Sequence, residues 1–68
     1  MQVTAVLTPA EEGGYVAFNP ETGTTTQGET VEAALDALRE AVELYLEGEP
    51  ITFVGTPIVT TVTVGEHA

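Results

Sequence analysis

Cysteine, serine, lysine and tryptophan are all missing from this 68-residue sequence, and arginine and histidine occur once each, as Arg39 and His67. Without cysteine there is no disulfide framework and no thiolate zinc site, and a single histidine cannot supply the ligand cluster of a structural transition-metal site. Without cysteine or serine no convincing nucleophile remains, because a threonine with no placed base is a surface or strand residue. No apolar run approaches the roughly 20 residues that cross a bilayer. No basic segment followed by an apolar stretch and a small-residue cleavage site opens the chain, so the expectation is a soluble, cytoplasmic protein with no membrane partner.

The scarcity of basic residues matters most. Eleven acidic residues against Arg39 give a formal net charge of -10 and a pI near 4.1. Affinity for nucleic acid depends on Lys and Arg neutralising phosphates, so direct binding of DNA or RNA by this surface is not expected. Two readings of the acidity stand side by side: it keeps a small domain soluble, or it complements a basic protein. A single domain of this size, residues 1–68, buries only about 60% of its unfolded surface. Association into a homodimer or higher homo-oligomer is a natural way to gain more.

Periodicity places the elements. Gln2 to Thr8 alternates, with Val3, Ala5 and Leu7 on one face, and Pro9 ends it. Residues 10–14 are polar and glycine-rich, as a hairpin turn requires. Tyr15 to Asn19 carries apolar side chains on both faces, as a central strand does, and Pro20 closes it. A turn at Glu21-Thr22-Gly23 leads to Thr24 to Gln27, a β-branched run suited to an edge strand. Thr30 is a good N-cap, and a helix is predicted from Val31 to a stop at Gly48, about 16 residues. Its apolar stripe is Val31, Ala34, Leu35, Leu38, Val42, Tyr45 and Leu46. Ile51 to Gly55 reads either as a packed loop or as a short strand. Pro57 to Val64 alternates again, with Ile58, Thr60, Val62 and Val64 on one face, and is predicted to be the last strand. The expected class is α+β, a two-layer β-β-β-α-β sandwich with a right-handed crossover to the last strand.

Tyr15-Val16-Ala17 through Pro20, Thr26-Gln27-Gly28-Glu29-Thr30, Glu32-Ala33-Ala34-Leu35 and Ala41-Val42-Glu43-Leu44-Tyr45-Leu46, in this order and spacing, resemble the HicB-like antitoxin family over about half the chain. The resemblance implies a reduced ribonuclease H-like fold and marks Tyr15, Pro20, Gln27, Gly28, Thr30, Ala34 and Tyr45 as structural motif positions. It further implies a partner of HicA type, a small basic mRNA-cleaving toxin neutralised by direct binding. Where the family usually carries Leu-Pro-Gly-Cys between its second and third strands, Glu21-Thr22-Gly23-Thr24 stands here, which predicts a turn of different shape. HicB antitoxins commonly continue into a DNA-binding domain. The sequence reaches Ala68 soon after the predicted last strand, so the expectation is an antitoxin module without its own DNA-binding domain.

Glu32, Asp36, Glu40, Glu43 and Glu47 recur at three- and four-residue spacing and project along one helix face, which makes them the candidate partner-binding residues. The bland alternative is an ordinary solvated face. Beside the core stripe, Ala33, Ala37, Ala41 and Leu44 either seat the helix closely on the sheet or admit a second subunit. Exposed strand edges at Thr24 to Gln27 or Pro57 to Val64 offer another route to a dimer.

Catalysis is not expected. Active ribonuclease H-like enzymes hold two divalent cations with carboxylates from strands as well as helix, and none of the predicted strands contains Asp or Glu. Gly13-Gly14, Gly23 and Gly28 fall at turns and match no phosphate-loop spacing. His67 lies one residue from the end, where fraying is usual. No cofactor and no metal are expected. The functional expectation is a HicB-like, protein-binding antitoxin domain, and the alternative is a solitary oligomerising or structural domain with no present toxin partner.

Overall fold

Two turns, each using glycine where the backbone turns left-handed, fold the first 28 residues into an antiparallel sheet. The computed structural model of the chain describes residues 1–48 and 55–65. Among these, β1 is Val6–Pro9, β2 Tyr15–Asn19, β3 Thr24–Gly28 and α1 Val31–Gly48. The sheet order is β1-β2-β3, so β2 is central and β3 is an edge, as its sequence suggests. In the first turn Gly13 N–H donates to Ala10 C=O at 3.1 Å and Ala10 N–H to Gly14 C=O at 3.0 Å. Gly13 and Gly14 take φ of 100° and 78° there, angles that cost a side chain-bearing residue about 1 kcal/mol or more.

Cross-strand partners Leu7↔Ala17 and Ala17↔Thr26 put these three residues on one face of the sheet. α1 packs on that face over β3 and β2, so the class is α+β. Ala17, Ala34, Leu38 and Val42 are buried between the layers, with Val3, Leu7, Tyr15 and Leu46 packed around them. The helix starts where it does because Thr30 caps it: Ala33 N–H donates to the Thr30 hydroxyl at 3.0 Å, satisfying one of the orphan donors of the first turn. Thr26 Oγ1 donates to Ala34 C=O at 3.1 Å and fixes the helix over β3. α1 runs 18 residues and includes Gly48, slightly longer than its periodicity predicts.

Two strand expectations need correction. The first strand does not begin at Gln2. The register Val6↔Phe18, continued by two residues, would set Thr4 opposite Pro20, which has no N–H to give. The ladder therefore stops at Val6. Thr4 bonds side chains instead: its N–H donates to Glu21 Oε1 at 2.9 Å and its C=O accepts from Asn19 Nδ2 at 2.7 Å.

The last strand, expected at Pro57 to Val64, is not formed in this chain: residues 56–65 have no strand pairing. Ile58, Val62 and Val64 are 89%, 82% and 76% exposed. Alternation gives a segment the capacity to be a strand, but strand formation requires an adjacent edge to pair with, and here the segment lies alongside none. The five-element β-β-β-α-β order and its crossover are thus replaced, among the described residues, by β-β-β-α. Of the undecided stretch Ile51 to Gly55, residues 51–54 lie outside the described residues, as does His67.

Candidate functional site

The acidic residues of α1 sit where their spacing puts them. At 3.6 residues per turn Glu32, Asp36, Glu40, Glu43 and Glu47 fall within an arc of about 80°, on the side away from buried Ala34, Leu38 and Val42. All five are exposed. Arg39 lies at the margin of this face, and its Nη1 meets Asp36 Oδ1 at 3.2 Å, one turn back on the helix. Both partners are exposed, so this pair contributes little, on the order of 0.5 kcal/mol. It nevertheless spends the chain's one Arg or Lys on one of the five acids, and the face presents strong negative charge to solvent.

The motif positions serve the frame of this surface. Gly28 passes so close to the helix that a Cβ there would meet the backbone of Ala33 and Ala34. Thr30 caps α1, Ala34 is fully buried, and Tyr15, paired with Gly28 across the sheet, packs at the edge of the core. Pro20 lies exposed at the end of β2, and Gln27 is exposed on β3. Tyr45, expected on the core stripe, is 39% exposed. In the neighbouring stripe Ala37 and Ala41 are half-buried while Ala33 and Leu44 face solvent. Close seating of the helix thus accounts for the first two residues only.

The turn between β2 and β3 contains a polar cluster that residue periodicity does not reveal. Asn19 is fully buried, and both ends of its amide are used. Nδ2 donates to Thr4 C=O and to Glu21 Oε1, at 2.7 and 2.6 Å. Oδ1 accepts from Thr22 N–H and Thr22 Oγ1, at 2.9 and 2.7 Å. Thr4 Oγ1 adds a bond to Glu21 Oε2 at 2.7 Å. Burial alone would raise the Glu21 pKa, but the bonds from the Thr4 N–H and hydroxyl, from its own backbone and from Asn19 outweigh it and hold the carboxyl below its ordinary value. The cue in the sequence is an Asn followed by Pro at the end of a strand, a pattern of strand termination that does not identify the bonding partner.

A second feature without a local sequence signal is a groove beside the segment that leads into β1. α1 leaves the β1 side of the sheet partly open, and a cleft of about 390 Å³ runs between Val3 and Ala5 on one wall and Leu35, Leu38, Val42 and Leu46 on the other. Arg39 and Glu43 stand at its rim. Among the described residues no group of three or more His, Asp or Glu side chains is arranged to hold a metal ion, and no helix is long and apolar enough to cross a membrane.

The sequence is 43% identical to Antitoxin HicB of Escherichia coli (strain K12) over 63 residues, covering 85% of this chain and 46% of the antitoxin. It is 40% identical over 47 residues to UPF0150 protein ssl0738 of Synechocystis sp., covering 68% of this chain and 65% of that protein. A second Synechocystis protein, UPF0150 protein ssr1765, is 44% identical over 45 residues, 65% of this chain and 57% of that protein. The chain thus spans about half the length of the antitoxin it matches, 46%. No solved structure gives a significant match. These similarities bear out the HicB-like character of the sequence, and residues 4–54 match a family described as a family of unknown function, DUF7387, to which the chain therefore belongs.

Proposed function

We propose that this protein is a HicB-like antitoxin domain that neutralises a small basic, HicA-type mRNA-cleaving toxin by covering it, acting in the cytoplasm without contacting nucleic acid itself. The observation that carries this reading is the exposed α1 face of Glu32, Asp36, Glu40, Glu43 and Glu47, set opposite the core with a single arginine at its margin. Similarity to a protein named Antitoxin HicB supports it. A cationic partner would relieve the repulsion among these carboxylates and gain charge-assisted contacts. The role is one of binding rather than catalysis: β1, β2 and β3 contain no Asp or Glu, so the helix acids have no strand carboxylates beside them for a two-metal site. The order of three antiparallel strands and a helix is compatible with a reduced ribonuclease H-like domain.

The test is rescue of growth on co-expression with a HicA-type toxin, combined with the triple substitution E32K/D36K/E40K. Loss of rescue, with affinity falling most at low ionic strength, supports the acidic face as the interface. Equal binding by the triple variant at low salt rejects it. A second reading, a solitary oligomerising domain with no toxin partner, is favoured by one observation, the exposed apolar side chains of residues 57–64. Purification from the native cells separates the two: a stoichiometric small basic protein supports the antitoxin, and its absence supports the solitary domain.

A further inference from the structure

The sheet ends at β1 with an edge that no described strand covers, and the segment leading into that edge lines an apolar groove of Val3, Ala5, Leu35, Leu38, Val42 and Leu46. The same chain carries an unused strand. Residues 55–65 contain no charged side chain, and from Ile58 to Val64 every position is Ile, Val or Thr, the residues that fit a pleated, half-buried surface best. The tail is therefore chemically matched to the groove and mismatched to the water around it.

We propose that the occupant of the groove is the tail of a second copy: residues 57–64 of each protomer pair with the β1 edge of the other, and Ile58, Thr60, Val62 and Val64 close the groove.

Three observations favour this occupant. The first is position. Gly55 and Thr56 line the same cleft as Gln2, Val3 and Thr4, at the start of the stretch that leads into β1, yet the residues that follow do not run along β1. They stand out in solvent instead. The radius of gyration, 14.2 Å, exceeds the value of about 11 Å expected for a compact chain of this length. Pro57 fixes its own φ and restricts Thr56 to extended conformations, so the step that launches the tail is stiff. Among the described residues, a chain in this open form holds both an exposed strand-like segment and an open groove, and a second copy in the same form complements it reciprocally.

The second is charge. With a net charge of -10, most faces of two copies repel one another, and the acidic face of α1 most of all. The tail is neutral, and among the described residues the charged side chains lining the groove are Arg39 and Glu43, one of each sign. This is where two such anionic chains can approach at least electrostatic cost. A basic partner is drawn to α1 instead. The third is size. A 68-residue chain has little core of its own, and exchange of an identical element adds main-chain hydrogen bonds and buried side chains without new sequence. The inference stands on the chain's own residues and does not depend on the antitoxin reading.

The test uses the full chain, whose mass in solution is measured by sedimentation equilibrium, with two variants of equal charge. V62D places a carboxylate on the groove face of the tail, and T61D places one on the opposite face. The dimer is expected for the wild type and T61D. V62D is expected to raise the dissociation constant by a factor of about 100 or more, because an unpaired carboxylate is costly to bury, while the helical circular dichroism of α1 persists. Because the chain has no cysteine, A5C and T60C singly substituted chains can be mixed and treated with a short bis-maleimide. Cross-links between the two chains support exchange. A monomeric wild type whose A5C/T60C double variant cross-links only within one chain overturns it, since the tail then closes on its own β1. A dimer that survives V62D and yields no A5C to T60C cross-link overturns it by placing the interface elsewhere. Protection of the tail only in the presence of a co-purified basic protein overturns it in favour of that partner.

Discussion

Asn19 Nδ2 donates to Glu21 Oε1 at 2.6 Å from a residue that is fully buried, and so holds in place the carboxylate that accepts from the N–H and hydroxyl of Thr4 in the N-terminal segment. The same nitrogen donates to Thr4 C=O, and the Asn19 carbonyl accepts twice from Thr22. Asn19→Ala removes all four bonds and leaves the Thr4 carbonyl and the Thr22 N–H short of partners in a partly buried site. The expected loss is about 2–4 kcal/mol of stability. It is read as a lowered urea midpoint at unchanged slope, which distinguishes loss of stability from a change in the surface exposed on unfolding.

Glu21 makes that cluster pH-dependent. Its carboxyl has a lower pKa in the folded chain than the ordinary value of 4.5, so over the intervening range the unfolded chain binds the proton and the folded chain does not. The stabilisation is present in full above that ordinary value and is lost as pH falls through the folded pKa. Glu21→Gln cannot titrate. Denaturation of wild type and Glu21→Gln at a series of pH values from 7 to 3 should show the advantage of the wild type shrinking below about pH 4.5. The other acids cancel in the comparison. A difference that stays constant or grows towards low pH contradicts the assignment.

Much of this fold is legible residue by residue where the signal is local. Thr30 followed by the Ala34, Leu35, Leu38 stripe fixes the helix start because capping and periodicity act over a turn or two, although Val31, expected on that stripe, is 38% exposed. Tyr15 to Asn19 is legible because it is apolar on both faces, and the exposed arc of five acids follows from helix geometry alone. What is not legible depends on residues far apart in sequence. Gln2 to Ala5 alternates like the rest of the first strand, and only the register with β2 reveals that Thr4 would face Pro20. Residues 57–64 have a strand's alternation, but alternation does not name a partner strand. The groove is assembled from Val3, Ala5 and four helix residues up to 43 positions away, from Val3 to Leu46, and no short window contains it.

Gly28 tests how closely β3 and α1 are seated. A Cβ there would run into the backbone atoms of Ala33 and Ala34, which cannot swing aside as the end of a side chain can. Gly28→Ala is expected to cost about 1–3 kcal/mol by overpacking. Gly48 supplies the control, because a Cβ at that position meets nothing within 4 Å. Gly48→Ala should be neutral or stabilising by up to about 1 kcal/mol, through the lower entropy of the unfolded chain. Thermal denaturation of the two variants side by side reads the difference. Similar effects from both would mean that the strand and helix do not approach as closely as the geometry indicates.

The acids of α1 are not equivalent for stability. Glu32 lies in the first turn, where the helix dipole favours a negative charge, whereas Glu43 and Glu47 lie towards the end, where it does not. The last turn holds no basic residue, and Glu43 and Glu47 are also like charges four residues apart, a destabilising spacing. Glu47→Lys reverses both effects and should raise stability by about 0.3–1 kcal/mol at low ionic strength, with the gain shrinking as salt is added. If the α1 face is an interface for a cationic partner, the same substitution weakens the complex while it strengthens the free domain. Thermal melts of the isolated chain and titrations with the toxin at two salt concentrations measure the two effects separately. Opposite signs identify the terminal glutamate as a residue maintained for binding at the expense of helix stability. A variant that is more stable and binds as well as the wild type restricts the interface to the N-terminal turns around Glu32, Asp36 and Glu40.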